Sequence, residues 1–196
     1  MKYILVFAVF VLGACGGESS TIGDAYYKKG EYEKAVEAYT EYLRLEPTDI
    51  KSLYNRGRAY QELERFDDAL GDFNAVIKED PTNTNALLSL ANDFYYRQKD
   101  YENAIFYADK VLDLDENNKV AYNLKGKAYQ KLGKLSEAME AYNFALSVDD
   151  QYADAYVSRG SLRLYLNQDS RACTDFQMAR SLGAKGADDL IKKYCK

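Results

Sequence analysis

The residues Gly57-Arg58-Ala59-Tyr60 form a motif that recurs along this chain. Gly23-Asp24-Ala25-Tyr26 lies 34 residues earlier, and Gly126-Lys127-Ala128-Tyr129 has the same pattern further on. A second marker, a small residue in the following helix, occurs at spacings of 34, 35, 34 and 34, at Ala35, Ala69, Ala104, Ala138 and Ala172. We place the one extra residue in the turn around residues 82–85, because loops tolerate insertions. A period of this length predicts an array of stacked repeats.

The composition predicts an all-helical protein without catalytic machinery. The 196 residues include 19 Tyr, no His, no Trp and only 2 Pro, and strong helix formers are abundant. Without His the chain lacks the commonest general acid or base and the commonest metal ligand. The net charge of -5 argues against a nucleic-acid partner, which needs a basic surface. Since no nucleophile–base pair, phosphate loop or metal spacing is recognisable, we predict no enzyme activity, no metal and no dissociable cofactor.

Residues 1–14 have the features of a secretory signal peptide. A positively charged start is followed by the apolar run Tyr3–Leu12 and by the small residues Gly13 and Ala14. This run is too short to span a bilayer as a helix, which needs roughly 20 residues. The alternative, a buried N-terminal helix, would leave the run without a polar face.

The residues Leu12-Gly13-Ala14-Cys15 resemble the lipobox of bacterial lipoproteins. This resemblance implies cleavage before Cys15 and covalent attachment of lipid to that residue, which would hold the protein at a membrane. Residue 16 is Gly rather than Asp, so the inner-membrane retention signal of such lipoproteins is missing. We therefore expect a location in the bacterial cell envelope, with the outer membrane favoured and its periplasmic or external face left open.

The recurring residues resemble the signature of the tetratricopeptide repeat (TPR) family, in which each repeat is a pair of helices. The second repeat, taken to begin at Ile50, matches that signature with Leu53, Gly57, Tyr60, Ala69, Phe73, Val76 and Pro81. The third repeat matches it least well, with Asn92 at the glycine position, Tyr95 at the tyrosine position and Ala108 where an aromatic residue is expected. Most tyrosines are then packing residues, among them Tyr26, Tyr39, Tyr60, Tyr95, Tyr129 and Tyr142.

The resemblance covers residues 16–182 and implies an all-α fold. The expected architecture is a right-handed α-solenoid of about five TPR helix hairpins plus a C-terminal capping helix. We assign the solenoid to residues 15–182 and the capping helix to residues 183–196. The five repeats are expected at about 16–49, 50–84, 85–118, 119–152 and 153–182.

Two cysteines lie near the C-terminus. Cys173 is 11 residues before Ala184 and Cys195 is 11 residues after it, so a helical hairpin that turns near Ala184 brings them side by side. Because an exported chain meets an oxidising compartment, we predict a Cys173–Cys195 disulfide. The alternative is a pair of reduced, buried thiols.

In TPR proteins the first helix of each hairpin lines a concave groove. The resemblance places our protein-binding candidates on that face: Tyr27, Tyr54, Arg58, Tyr96, Arg97, Asn123 and Lys127. Further side chains expected there are Lys28, Lys51, Gln61, Ser89, Asp93, Gln130, Lys131, Asp154, Ser161 and Tyr165. This mixture of aromatic and basic groups suits an extended or helical peptide with acidic groups. The alternative is a solvated helix face without a ligand.

Some TPR co-chaperones hold a C-terminal carboxylate with Lys, Asn and Arg side chains from three repeats. Only Asn55 matches that set here, and Ser20 and Asp24 stand where Lys and Asn are needed. We therefore do not expect this chain to bind chaperone tails.

The expected function is that of a membrane-anchored TPR lipoprotein, a protein–protein interaction scaffold or assembly factor of the envelope. The alternative is a lipoprotein that captures peptide or glycan for an outer-membrane transporter. Glycan-capturing lipoproteins with TPR units carry large insertions, which this sequence lacks, and this favours the scaffold.

Overall fold

The computed structural model describes residues 18–195, and every regular element within that range is helical. The all-α prediction is therefore confirmed for this part of the chain. The predicted signal peptide, residues 1–14, and the predicted lipidation site Cys15 lie outside the described residues. The chain divides into two compact units between Glu79 and Asp80. Within residues 18–195, no helix combines the length and apolar character needed to cross a membrane.

The first unit contains two helix hairpins. In the first hairpin α1 (Glu18–Lys28) packs against α2 (Tyr32–Leu43), and in the second α3 (Ile50–Glu62) packs against α4 (Phe66–Glu79). Buried small and aromatic residues, with partly buried neighbours, form one core cluster of this unit: Ala35, Val36, Tyr39 and Ala59 with Tyr26, Tyr27, Tyr60 and Leu63.

The second unit contains three hairpins and one additional helix that packs against the last of them. The first helices of these hairpins are α5 (Thr84–Asp93), α7 (Lys119–Lys131) and α9 (Ala153–Tyr165). Their partners are α6 (Tyr101–Leu114), α8 (Leu135–Val148) and α10 (Asp169–Ser181), and the additional helix is α11 (Ala187–Tyr194). A π-helical turn over Phe94–Gln98 follows α5 directly.

Local capping explains where several helices begin and end. Asp49, Asn83 and Asn118 precede α3, α5 and α7, and each side chain accepts a hydrogen bond from the backbone N–H three residues later, at 2.8, 3.1 and 3.1 Å. Between the two helices of each hairpin, one residue with a positive φ reverses the chain: Gly30, Glu64, Lys99, Gly133 and Asn167.

The two helices of a hairpin approach closely because a glycine faces an aromatic ring. In four hairpins a Cβ atom on the glycine would lie 2.5 to 2.8 Å from a ring carbon, in the pairs Gly23–Tyr39, Gly57–Phe73, Gly126–Tyr142 and Gly160–Phe176. The four rings are at most 1% exposed. These aromatic side chains are therefore packing residues, as the sequence predicts for Tyr39 and Tyr142.

The extra residue of the third repeat does not lie at residues 82–85, and that prediction is wrong. The N-cap residues Asp49 and Asn83 are 34 positions apart, which is the ordinary spacing. The next interval, from Asn83 to Asn118, is 35 positions. The insertion therefore follows the start of α5, and the repeat boundary falls one residue earlier than expected, at Thr84.

The π-helical turn contains the insertion. In the second repeat, the hydrogen bond that closes the hairpin turn runs from the N–H of Arg65 to the carbonyl of Tyr60. In the third repeat, the equivalent bond runs from Asp100 to Phe94 and spans one more residue. A π turn accommodates an extra residue inside a helix, so neither the N-cap nor the following helix has to shift.

This register changes which residues occupy the signature positions of the third repeat. Ala91, rather than Asn92, stands at the glycine position, and Phe94, rather than Tyr95, stands at the tyrosine position. Ala91 and Ala108 are both fully buried. Because Ala108 replaces the aromatic ring, the Cβ of Ala91 has room that the glycines of the other hairpins lack.

The C-terminal helix α11 is tied to α10. The sulfur atoms of Cys173 and Cys195 are 2.04 Å apart and form a disulfide across 22 positions of sequence. Ala187, at the start of α11, is fully buried. The structure thus places α11 against the last hairpin, where the sequence predicts a cap.

Candidate protein-binding surfaces

In the first unit, three predicted groove residues lie near one another on α1 and α3. The guanidinium of Arg58 is 5.0 Å from the centre of the Tyr27 ring, a cation–π distance. The ring of Tyr54 packs against Phe73, with ring centres 5.7 Å apart. Burial raises the pKa of the Tyr27 phenol despite the nearby charge of Arg58. Tyr27 and Tyr54 are half-buried and Arg58 is exposed, so this surface is open to a ligand.

The carboxylate of Asp24 accepts hydrogen bonds from three side chains of the same unit. Its oxygens accept hydrogen bonds from Lys51 at 2.6 Å, Tyr39 at 2.6 Å and Asn55 at 2.9 Å. Burial alone would raise the pKa of Asp24, but the three donors and the charge of Lys51 outweigh it, so that pKa is lowered. Lys51 and Asn55 therefore already hold a carboxylate that belongs to the chain.

In the second unit, the candidate surface is a cavity of about 410 Å³ between three hairpins. Its walls come from the π turn and helices α7, α8 and α9, and its lining residues are Tyr95, Tyr96, Lys127, Gln130, Lys131, Tyr142, Asp154, Val157, Ser158 and Ser161. Two of the singled-out candidates, Tyr96 and Lys127, thus line one cavity. Gln130, Lys131, Asp154 and Ser161, which the sequence also placed on the groove face, lie with them.

Two lysines of α7 line this cavity. Lys127 and Lys131 are four residues apart and so share one face of the helix. The ammonium of Lys127 donates a hydrogen bond of 3.2 Å to the Tyr96 hydroxyl. In the described part of the chain, neither lysine forms an ion pair with a carboxylate. Both charges therefore remain available to a ligand.

Tyrosine side chains form the aromatic wall of the cavity. The rings of Tyr95 and Tyr96 meet edge to face, with centres 4.6 Å apart. Burial, with smaller contributions from Tyr96 and Tyr101, raises the pKa of Tyr95 to about 12. Burial also raises the pKa of Tyr142, whose hydroxyl donates a hydrogen bond of 2.9 Å to Gln130. Since both pKa values are raised, the phenols of Tyr95 and Tyr142 do not neutralise the two lysines at neutral pH.

Arg97 and Asn123 were predicted on the groove face but do not line the cavity. The Arg97 guanidinium pairs with Asp93, at 2.8 Å. Asn123 is only 3% exposed, and its amide nitrogen lies 3.4 Å from the Tyr152 hydroxyl. Its assignment to an accessible groove is wrong, because packing of neighbouring helices covers it. Tyr95, assigned to packing alone, contributes to the cavity wall.

A set of cations that was not predicted from the sequence joins neighbouring repeats. Arg56, Lys125 and Arg159 occupy the same position of α3, α7 and α9, and each contacts a polar residue 16 positions earlier. The three contacts are Arg56–Thr40 at 3.1 Å, Lys125–Asp109 at 2.6 Å and Arg159–Asn143 at 2.8 Å. The repeated spacing of 16 is a signal by which the sequence alone could have identified them.

Two of these arginines also form buried ion pairs within their own repeat. Arg56 makes two hydrogen bonds to Asp72, at 2.8 and 2.7 Å. Arg159 binds Asp175 in the same way, at 3.1 and 2.8 Å, and Arg163 adds a third bond to that carboxylate at 2.7 Å. These interactions are structural, because the carboxylates of Asp72 and Asp175 are at most 8% exposed.

Comparisons with known proteins agree with this architecture. A Dictyostelium discoideum protein, the DnaJ homolog subfamily C member 3 homolog, is 27% identical over 80% of this chain, which covers 34% of that relative's length. This chain therefore spans about a third of that protein. The crystal structure of YrrB, described as a TPR protein with an unusual peptide-binding site, matches with a TM-score of 0.71 at 20% identity and covers 91% of each chain.

A second solved structure is that of PilW, described as a widely conserved type IV pilus biogenesis factor. It matches with a TM-score of 0.75 at 19% identity, over 84% of this chain and 76% of that chain. At these identities the two structures support the fold alone. Family models described as TPR repeat or tetratricopeptide repeat match residues 23–64, 54–119 and 120–152. With these matches and five hairpins built on the same positions, the chain belongs to the tetratricopeptide repeat family.

Proposed function

We propose that this chain is a lipid-anchored scaffold of the bacterial cell envelope that binds a segment of a partner protein. The cavity of the second unit supports this proposal most strongly. It offers the exposed ring of Tyr96 beside the ammonium groups of Lys127 and Lys131, which have no carboxylate partner among the described residues. Exposed aromatic side chains dominate many protein interfaces, and repeat packing requires none of these three.

The relatives agree with this class of function. YrrB is described as having a peptide-binding site and PilW as a pilus biogenesis factor. These descriptions and the cavity of the second unit support a binding role for this chain.

The proposed lipid anchor is tested at Cys15. The full-length chain is expected to incorporate radiolabelled palmitate and to sediment with membranes after a salt wash. Cys15→Ala removes the thiol that would be acylated, so the variant is expected to lose the label and to appear in the soluble fraction. Equal membrane retention of both proteins would contradict the proposed anchor.

The binding role is tested by capture from detergent-solubilised envelopes. The bait is the full-length protein, compared with Tyr54→Ala/Arg58→Ala in the first unit and with Tyr96→Ala/Lys127→Ala in the second. Phe106→Ala/Lys110→Ala is the matched control, because it removes an exposed aromatic ring and a lysine 4.9 Å away that do not line the cavity.

We expect the wild type and the control to recover the same envelope proteins and at least one groove variant to lose them. Equal recovery by all four baits would show that neither surface is used. If the wild type instead binds glycans specifically on an array and recovers no protein, the alternative function, ligand capture for a transporter, replaces the scaffold.

A further inference from the structure

We propose that the cavity of the second unit is an anchoring subsite for an acidic side chain, glutamate or aspartate, within an extended segment of the partner protein. This inference rests on the proposed function and specifies the chemistry of the partner. It assigns the carboxylate of that side chain to Lys127 and Lys131, beside the rings of Tyr95 and Tyr96.

Lys51 in the first unit and the two lysines of the cavity differ in their partners. In the first unit, Lys51 and Asn55 hold the carboxylate of Asp24, and the Arg58 guanidinium lies over the Tyr27 ring. In the second unit, Lys127 and Lys131 lack any carboxylate partner among the described residues. A ligand anion would therefore have to displace Asp24 to reach Lys51 in the first unit, but would displace no carboxylate to reach Lys127 and Lys131 in the second.

The cavity lining carries more cationic than anionic side chains. Its lining contains two lysines and one carboxylate, that of Asp154 on α9. No ion pair within residues 18–195 joins Asp154 to either lysine. The lining therefore keeps a net positive charge, which favours an anionic group over a neutral or cationic one.

The placement of the side chains around the cavity suits a carboxylate. Lys127 and Lys131, one helical turn apart, can approach the two oxygens of one carboxylate from the same side. The Tyr96 hydroxyl accepts its hydrogen bond from Lys127, which leaves its own proton available to the ligand. The rings of Tyr95 and Tyr96 form an apolar wall on which the methylene groups of the ligand side chain can pack. A cavity of about 410 Å³ has room for such a side chain and part of its backbone.

The test uses a positional library of octapeptides that are N-acetylated and C-amidated, so that a side chain is the only source of a carboxylate. The purified full-length protein is expected to select Glu or Asp at one position and not Gln or Asn. Lys127→Gln/Lys131→Gln is expected to weaken binding of the selected peptide by about tenfold or more, because two charge-assisted contacts are lost.

A matched control separates a local contact from the overall charge. Lys192→Gln/Lys193→Gln removes the same charge from two exposed lysines of α11 that do not line the cavity. This variant is expected to bind the selected peptide within about twofold of the wild type at moderate salt, where distant charges are screened. An equal loss of affinity in both variants would overturn the subsite.

Several other outcomes of the peptide and glycan experiments would overturn the acidic subsite. Selection without an acidic preference, or acidic selection that survives in Lys127→Gln/Lys131→Gln, would overturn the inference. A second library with free C-terminal carboxylates is tested in parallel, and binding confined to that library would also overturn it. Glycan-array hits that disappear in that variant would show a sugar site instead. If the inference fails while the wild type still captures envelope proteins, the scaffold role stands. Absence of capture by every bait overturns the scaffold role itself.

Discussion

Gly126 and Tyr142 approach so closely that a Cβ atom on Gly126 would lie 2.6 Å from the nearest ring carbon of Tyr142. The ring is fully buried, so it has little freedom to move away. The same relationship joins Gly57 to Phe73, at 2.8 Å. It explains why glycine recurs in the first helix of a hairpin, although glycine weakens a helix.

Gly126→Ala is expected to lower the free energy of unfolding by about 1–3 kcal/mol, because the added methyl group overpacks the hairpin. Urea unfolding followed by circular dichroism measures the change. Gly71→Ala is the control: it places a methyl group in open space on α4 and is expected to stabilise by about 0.5–1 kcal/mol. In Gly126→Ala/Tyr142→Ala, which copies the Ala91 and Ala108 combination, the cost should be less than the sum of the single changes. If the losses of unfolding free energy from the two single changes simply add in the double variant, Gly126 and Tyr142 do not interact.

Arg56→Met is expected to destabilise the first unit by about 3–5 kcal/mol, because it leaves the buried Asp72 carboxylate without its cation. Arg56→Met/Asp72→Leu should regain most of that loss, since no uncompensated charge remains. Arg44→Met removes the exposed partner of Glu41 and should change stability little. Urea unfolding of the four proteins compares them, and a mild effect of Arg56→Met would mean that water reaches Asp72.

The Asp24 network predicts a loss of stability in acid. Because the folded state lowers the pKa of Asp24, this group stabilises the fold above its unfolded pKa, and the contribution is lost as pH falls through the folded pKa. Asp24→Asn should therefore be less stable at neutral pH and should show a flatter decline below about pH 4. Unfolding free energies across the acid range test this, with Asp189→Asn on α11 as the control. If the unfolding free energies of wild type and Asp24→Asn fall in parallel with decreasing pH, Asp24 is not the source of the acid sensitivity.

Reduction of the Cys173–Cys195 disulfide is expected to lower stability by roughly 3 kcal/mol on the chain-entropy model, given its separation of 22 positions. Amides of α11 should lose protection from hydrogen exchange, because the disulfide fastens this helix to α10. Cys173→Ala/Cys195→Ala should show the same loss without reductant and no response to it. Two titratable thiols in the denatured protein before any reduction would contradict the bond.

Deletion of Gln98 is expected to convert the π turn into an ordinary hairpin turn, since the third repeat would then have the length of its neighbours. Helix content should be retained, while binding of acidic peptides should weaken because Tyr95 and Tyr96 change position. Gln98→Ala keeps the length and removes only the hydrogen bond of 2.7 Å to Asp93, so it should bind as the wild type does. Circular dichroism measures helix content and peptide titration measures binding. Unchanged binding after the deletion would show that the cavity does not depend on the π turn.

The sequence alone was sufficient to predict the helix hairpins and their repetition along the chain. The glycine, tyrosine and alanine positions recur because each hairpin meets the same packing demand within its own repeat, as Gly57 and Phe73 do. The Cys173–Cys195 pairing could be predicted for a related reason. Both cysteines lie at equal distances from a single turn near Ala184. In a helical hairpin, residues at equal distances from the turn lie side by side.

Tertiary structure decided where the extra residue lies and which groove side chains remain available. Any position between Asn83 and Ala104 satisfies the observed spacing, and only the hydrogen bond from Asp100 to Phe94 assigns the insertion to the π turn. Likewise, the burial of Asn123 and the capture of Lys51 by Asp24 depend on side chains from other helices. Spacing along one helix fixes the face on which a residue lies, but the partner it meets there is set by the packing of separate segments.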